Sequence, residues 1–376
     1  MTKMTRRERL MAIFQGRIPD RPAVKVWGVG TKEDGCVHPA FERVRDLAVD
    51  RTDLVRLAGS RFSIYCGQEN DQLVEEYEEP SDSPDWVDRT TIYHTPNGKL
   101  REVYRQSTCK KPGYQKEYLL KEPDDIKKLL SLPYKPYPFS SDEYRRVDAE
   151  LGDAGIVKFQ LDHTMYALQR IIGSENFALW SVDAEDLLLE AMETFAIRLR
   201  DHIVAAVEAG ICGVFSWAGP ELCIPPLMSP AAFEKYVFAM DKPLIDLIHE
   251  AGGYVWVHCH GKMKPVLRRF MDMGVDVLNP IEPPPMGDLT MSEAFDIVGD
   301  RMGLEGNIET HDFMVASNEE LLKKIHETLE AGRGRRLILC PSSGYMENVN
   351  PSSREITNWL LYVNEAVRYA EAMSEG

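Results

Sequence analysis

The segment VHCHG, residues 257–261, places two imidazoles one residue apart. In an extended strand the side-chain period is two, so His258 and His260 share one face while Cys259 points to the other. Paired neutral imidazoles suit Zn2+, which needs three or four convergent N, O or S donors. The residue types leave a second reading open, in which both rings are hydrogen-bonded core residues or substrate contacts. Two further donors stand at neighbouring strand ends: Glu221, a carboxylate in WAGPELC, and Cys340, a thiol closing RLILC. For these the alternatives are a solvated loop carboxylate and a buried apolar residue.

Other polar groups sit at equivalent places. Glu282 is a candidate substrate contact: the three prolines after it would hold its carboxylate in place at low entropic cost on binding, or simply stiffen the loop. Asn307 ends the run RMGLEGN, where its amide could bond a substrate or a metal ligand, or simply cap a turn. Trp27, Phe159, Tyr166, Trp180 and Trp217 fall at or just beyond strand ends. They are candidate walls of an apolar or aromatic substrate pocket, with core packing the alternative for at least two of them.

These residues need elements to position them. Eight β-rich runs are expected at 23–27, 53–59, 155–162, 211–217, 254–260, 275–282, 301–307 and 336–340. Between most of them lie segments with apolar residues at three- and four-residue spacing, clearest at 184–210, 229–253 and 318–332. Repeated strand-helix alternation implies a parallel sheet, and eight strands favour closure into a (β/α)8 TIM barrel, whose catalytic groups gather at the C-terminal ends of the strands. No G-x-G-x-x-G or Walker loop follows any strand, which argues against an open nucleotide-binding sheet. The chain is expected to be one barrel domain over 1–376. Residues 85–121, with TPNGK between two β-prone arms, read as a hairpin inserted between strands two and three, forming a flap near the mouth.

Composition narrows the function. The 376 residues carry a formal net charge of −16, which works against a nucleic-acid partner, because that affinity rests on Lys and Arg neutralising phosphates. No apolar run approaches the roughly 20 residues a spanning helix needs, and the start mixes charge into its apolar positions, unlike a signal peptide. Seven cysteines without a CxxC pair suit a reducing compartment. A cytoplasmic enzyme that binds neither membrane nor nucleic acid is expected.

The opening TRRERLMAIFQGRIPDRPAV, the helix SPAAFEKYVFAMDKPLIDLIHEAGG, the run VHCHGKMKPVLRRFMDMGVDVLNPIE and GDRMGLEGNIE together resemble the uroporphyrinogen decarboxylase superfamily across essentially the whole chain. That resemblance implies a (β/α)8 barrel and either a porphyrinogen decarboxylase or a corrinoid-linked methyltransferase. The decarboxylases carry an arginine-rich RQAGR-like segment after the first strand, whereas here the stretch is VWGVGTKEDG, without arginine. The methyltransferases carry H-x-C-G on the fifth strand and a late cysteine, which bind zinc. Here His258 keeps the first position, His260 replaces the cysteine and Gly261 follows. In ILCPSSG, Cys340 precedes the proline and Ser343 stands near the usual cysteine position. The GPE and EPPPMGD segments are most similar to methyltransferases that demethylate methoxylated aromatic compounds. The resemblance therefore implies zinc on Glu221, His258 and His260, with Cys340 as a fourth ligand, and catalytic roles for Glu221, His260 and Asn307.

The implied reaction moves a methyl group from an O-methyl donor, a methoxylated aromatic compound, to the Co(I) corrinoid (cobalamin) of a separate corrinoid-binding protein. An aryl ether is a poor donor because phenolate leaves badly, and a Lewis acid on the ether oxygen lowers that barrier. Alternatives are methyl transfer from methylcobalamin to a thiol, a metal-free decarboxylase using the mouth residues as acid and base, and a non-catalytic binding barrel.

Overall fold

Strands β1 (Ala23–Val24), β2 (Leu54–Ala58), β7 (Gly155–Gln160), β8 (Val214–Ala218), β9 (Tyr254–His258), β10 (Val277–Ile281), β11 (Gly303–Ile308) and β12 (Leu337–Pro341) form a parallel sheet in the order β1-β12-β11-β10-β9-β8-β7-β2. The structure, a computed structural model, describes residues 3–109, 111–344 and 348–375. All eight expected strands are present, and the alternation with helices makes the architecture a (β/α)8 barrel. The helices expected at 184–210 and 318–332 are Glu185–Glu208 and Asn318–Ala331. The one expected at 229–253 is divided by a π-helical turn, Glu234–Phe238, ahead of Pro243 in Ala239–Glu250.

The seam between β1 and β2 is closed by one carboxylate. The Asp53 backbone N–H donates to the Val24 carbonyl at 2.7 Å, and the Val24 N–H returns to Asp53 Oδ2 at 2.8 Å. Arg9 and Arg21 pair with the same buried carboxylate at 2.6 and 3.3 Å.

The barrel interior is layered. Helix Arg6–Phe14, started by a Thr5/Glu8 capping box, packs Leu10, Ile13 and Phe14 onto Ala23, Ile156, Val214, Val277 and Ile338, closing the end where the strands begin. Above that apolar floor lies a charged layer of Lys25, Lys158 and Glu305, all under 5 % exposed. His258 and His260 lie beyond it, at the C-terminal end of β9.

The insertion after β2 is larger than the sequence patterning suggested. Strands β3 (Val74–Pro80), β4 (Trp86–Thr95), β5 (Gly98–Ser107) and β6 (Tyr114–Glu117) make a four-stranded antiparallel sheet. Its central hairpin is the expected one, but Thr95 pairs with Gly98, so Pro96 and Asn97 occupy the turn and Gly98, at φ +129°, opens the return strand. The sheet faces Tyr65, Asp162 and Arg170 across a groove of about 550 Å3, and Asp162 follows the C-terminal end of β7.

Candidate active site

At the mouth, each histidine has its inner ring nitrogen engaged by a neighbouring strand. His258 Nδ1 lies 2.6 Å from Asn279 Oδ1 on β10, and Asn279 Nδ2 donates to Glu305 Oε1 on β11 at 3.0 Å. Glu305 also accepts from Trp256 Nε1 at 2.9 Å and pairs with Lys25. Burial alone would raise its pKa, but Lys25 and Lys158 hold it below the usual carboxylate value. An ionised carboxylate only accepts, so the Asn279 amide turns its NH2 toward Glu305 and its oxygen toward His258. His258 therefore carries its proton on Nδ1 and keeps the Nε2 lone pair free. Burial, then His260, pushes the His258 pKa down to about 4, so the ring is neutral at neutral pH.

His260 is held similarly, by Glu282 Oε1 at 2.9 Å from Nδ1, while Glu282 Oε2 accepts the Gly261 N–H at 3.1 Å. Burial pulls the His260 pKa down, but Glu282, Glu221 and Glu309 outweigh it and raise the value overall. The two imidazole centroids are 4.5 Å apart and nearly perpendicular, at 88°.

Glu221 reaches the same place from the short 3-10 helix Pro220–Cys223 that follows β8. Its carboxyl accepts the backbone N–H of His260 as well as its own, and burial raises its pKa. Its Oε2 is buried with no hydrogen-bond partner. The loop can turn there because Gly219 takes φ +138°, where a Cβ would sit 2.2 Å from the Cβ of Tyr166.

Sequence reasoning missed Glu309, one residue beyond β11. Ser342 donates to its Oε2 at 3.3 Å, its Oε1 is buried without a partner, and burial with repulsion from Glu282 raises its pKa to about 7. The signal was present in EGNIETHD, where Asn307 was the residue chosen. His163, also missed, lies against Gly219 and pairs with Asp241 at 2.8 Å.

The other expected site residues divide. Trp27 lies 5.0 Å from the His258 ring and lines the inner mouth, whereas Trp217, between the inward-facing Ser216 and Ala218 and paired with Val257, turns its side chain to the core between barrel and helices. Tyr166 is 40 % exposed beside the Glu221 loop. Phe159 packs outward among Phe139, Tyr144, His202 and Phe215, and Trp180 is buried on helix Ser174–Asp183, so both belong to the core between barrel and helices. Asn307 is corrected too: Gly306, at φ +146°, breaks the strand alternation. The Asn307 side chain turns outward and accepts from Thr328 Oγ1 at 2.6 Å. Cys340 points into the charged layer, where its thiol bonds Glu305 and burial pushes its pKa up.

Among the described residues, no three His, Cys, Asp or Glu side chains stand close enough together to hold a metal ion. At the mouth, Glu221 Oε2 and the Nε2 atoms of His258 and His260 are the donors without a hydrogen-bond partner among the described residues. Anchoring of a metal-binding imidazole through its other nitrogen by a carboxylate or amide is the usual arrangement at zinc sites.

A search of curated proteins finds no match to the chain. Among solved structures, a methyltransferase from Methanosarcina mazei superposes with a TM-score of 0.59 at 15 % identity, covering 96 % of this chain and 99 % of that one. That likeness shows a shared fold. A D-psicose 3-epimerase from Clostridium cellulolyticum H10 covers 63 % of this chain and 84 % of its own at 12 % identity, but at a TM-score of 0.37 it carries no argument. The profile of the uroporphyrinogen decarboxylase (URO-D) family matches residues 114–356, from the last strand of the inserted sheet through every barrel strand from β7 to β12. A match over that much of the chain, on a barrel of this form, makes the protein a member of the uroporphyrinogen decarboxylase family.

Proposed function

We propose that the protein is a zinc-dependent methyltransferase that takes a methyl group from an O-methyl donor, a methoxylated aromatic compound, and passes it to the Co(I) corrinoid of a partner protein. One observation carries this reading: two inward-facing imidazoles whose Nδ1 atoms are committed to Asn279 and Glu282, beside the unpartnered Glu221 Oε2. This donor set fits zinc in type and tautomer, with Glu221, His258 and His260 as the ligands. Cys340 is left out of it, because its thiol is committed to the Lys25 and Glu305 layer. When bound, Zn2+ would supply Lewis acidity to the ether oxygen, worth several kcal/mol of barrier, and the corrinoid would supply the nucleophile that accepts the methyl.

The chain's own residues do the rest. Asn279 and Glu282 keep both lone pairs aimed into the mouth. Glu309, with a free buried oxygen and a pKa near neutrality, is placed to hold a proton for the departing phenolate. Trp27 and Trp256 give the donor apolar walls.

The protonation of Glu309 also favours a second reading, metal-free decarboxylation with Glu309 and His260 as acid and base. One experiment separates the two. The protein is incubated with a reduced corrinoid protein and a panel of methoxyaromatics, methylamines and thiols while the cobalt absorbance is followed, and its metal content is measured in parallel. Methylcobalt formation with about one zinc per chain supports methyl transfer. No methylcobalt signal across the panel sinks it.

A further inference from the structure

Beneath the histidine pair lies a cavity of about 170 Å3, bounded by Trp27, Lys158, Gln160, Ser216, Trp217 and His258. Its size suits one ring or a short chain. Its floor is the charged layer, and there the charges do not balance. Lys25 and Lys158 are both buried, and the one carboxylate between the strands, Glu305, is taken by Lys25, by Trp256 and by Asn279. Lys158 makes no hydrogen bond and no ion pair among the described residues. Its amine rests on the Trp256 ring, 3.0 Å from the centroid, and it is 4 % exposed.

A buried amine is normally paired, because removing a cation from water without a counter-charge is unfavourable, and the indole face offsets only a part of that. With no anion beside it, burial and then Lys25 push the Lys158 pKa well down. An anion in the cavity that Lys158 lines would be the counter-charge it lacks. We propose that this floor is a carboxylate subsite, with Lys158 as the anchor for the acid group of a small ligand. The ligand's ring stands against Trp27, and its far end reaches His258. Identifying that ligand as the methyl donor rests on the methyl-transfer reading; the subsite itself does not.

Isothermal titration of zinc-free protein, without corrinoid, with 3-methoxybenzoate and with uncharged 3-methoxybenzyl alcohol tests it. The acid should bind at least about tenfold more tightly than the alcohol, and Lys158→Met should abolish that preference while leaving alcohol binding in place. Lys158→Arg, which keeps a cation, should retain part of the preference. Equal affinity of wild type for acid and alcohol overturns the subsite without any variant. So does heat from neither ligand, or a preference that survives Lys158→Met. Acid binding with no methylcobalt formed from any donor leaves the subsite standing and removes the methyl-transfer reading. Methyl transfer from 3-methoxybenzoate, unchanged in Lys158→Met, does the reverse.

Discussion

Asn279 decides which nitrogen of His258 carries the proton. Its amide is polarised by Glu305 at 3.0 Å on one side and accepts from His258 Nδ1 at 2.6 Å on the other, so a charge set in the barrel interior by Lys25 fixes the tautomer at the mouth. His260 is governed instead by Glu282, whose carboxylate also takes the Gly261 N–H. One histidine is thus oriented by an amide relay and the other by a direct hydrogen bond to a carboxylate.

The relay leads to a prediction about metal affinity. Asn279→Leu removes the acceptor, lets His258 populate the other tautomer, and strips Glu305 of one N–H donor. Loss of such an outer partner typically weakens zinc binding about 10–100-fold, and losing one hydrogen bond to the Glu305 carboxylate, whose Oε1 keeps Lys25, costs about 1.5–3 kcal/mol of stability. Competition against a chromophoric chelator measures the first and a urea midpoint the second. Zinc affinity equal to wild type would show that the relay does not govern the ligand.

Glu221 offers a cleaner separation of charge from shape. Glu221→Gln keeps the acceptor that receives the His260 N–H but supplies no anionic oxygen to a cation. Zinc occupancy after dialysis should fall well below the one per chain expected of the wild type under the proposed function, with methyl transfer falling in proportion and the melting temperature nearly unchanged. Full occupancy in the variant removes Glu221 from the ligand set.

Much of this was legible in the sequence, and the failures have causes. The eight barrel strands stand out because strands buried on both faces read as unbroken apolar runs, as in RLILC and YVWVH. His258 and His260 were legible through the strand period alone. Strand β3, VEEYEEP, was not, because it is mostly exposed and its acidic run looks like solvated loop. Asn307 and Phe159 were misplaced because the period-two rule fixes a face only while the backbone stays regular and the strand phase is known; Gly306 breaks the first condition. Glu309 lies past the strand end, where periodicity no longer assigns a face. The unpaired Lys158 could not be foreseen, since its isolation depends on Glu305 being claimed by Lys25, Trp256, Asn279 and Cys340 from elsewhere around the barrel.

Stability should respond to pH through His202. Its ring stacks on Phe62 at 4.3 Å, and burial lowers its pKa from 6.5 to about 4. The folded state therefore resists a proton that the unfolded state takes up. Stability from this group is intact above pH 6.5 and declines as the pH falls from there toward 4, by up to roughly 3 kcal/mol. His202→Phe, which keeps the stacking and removes the titration, should flatten the acid side of the stability profile over that window. Parallel profiles for the two proteins would show that the ring is protonated in the fold.

The β1–β2 seam gives the largest expected effect on stability. Asp53 is fully buried and serves Arg9, Arg21 and the Val24 N–H at once. Asp53→Ala leaves two buried guanidinium groups short of their counter-charge and one backbone donor unpaired, and breaking a buried pair from one side costs about 3–5 kcal/mol. The exposed pair Arg7–Asp148 is the control: its side chains are 30 % and 38 % accessible, and Asp148→Ala should cost less than about 1 kcal/mol. Asp53→Asn is the informative intermediate. It can still accept from Val24 and should recover the backbone part of the loss but not the ionic part. Urea titrations of the three variants give the order directly, provided the slopes match. If Asp53→Ala unfolds no earlier than Asp148→Ala, the barrel is closed by the helical layer rather than by this carboxylate, and the seam is a consequence of the fold instead of a cause.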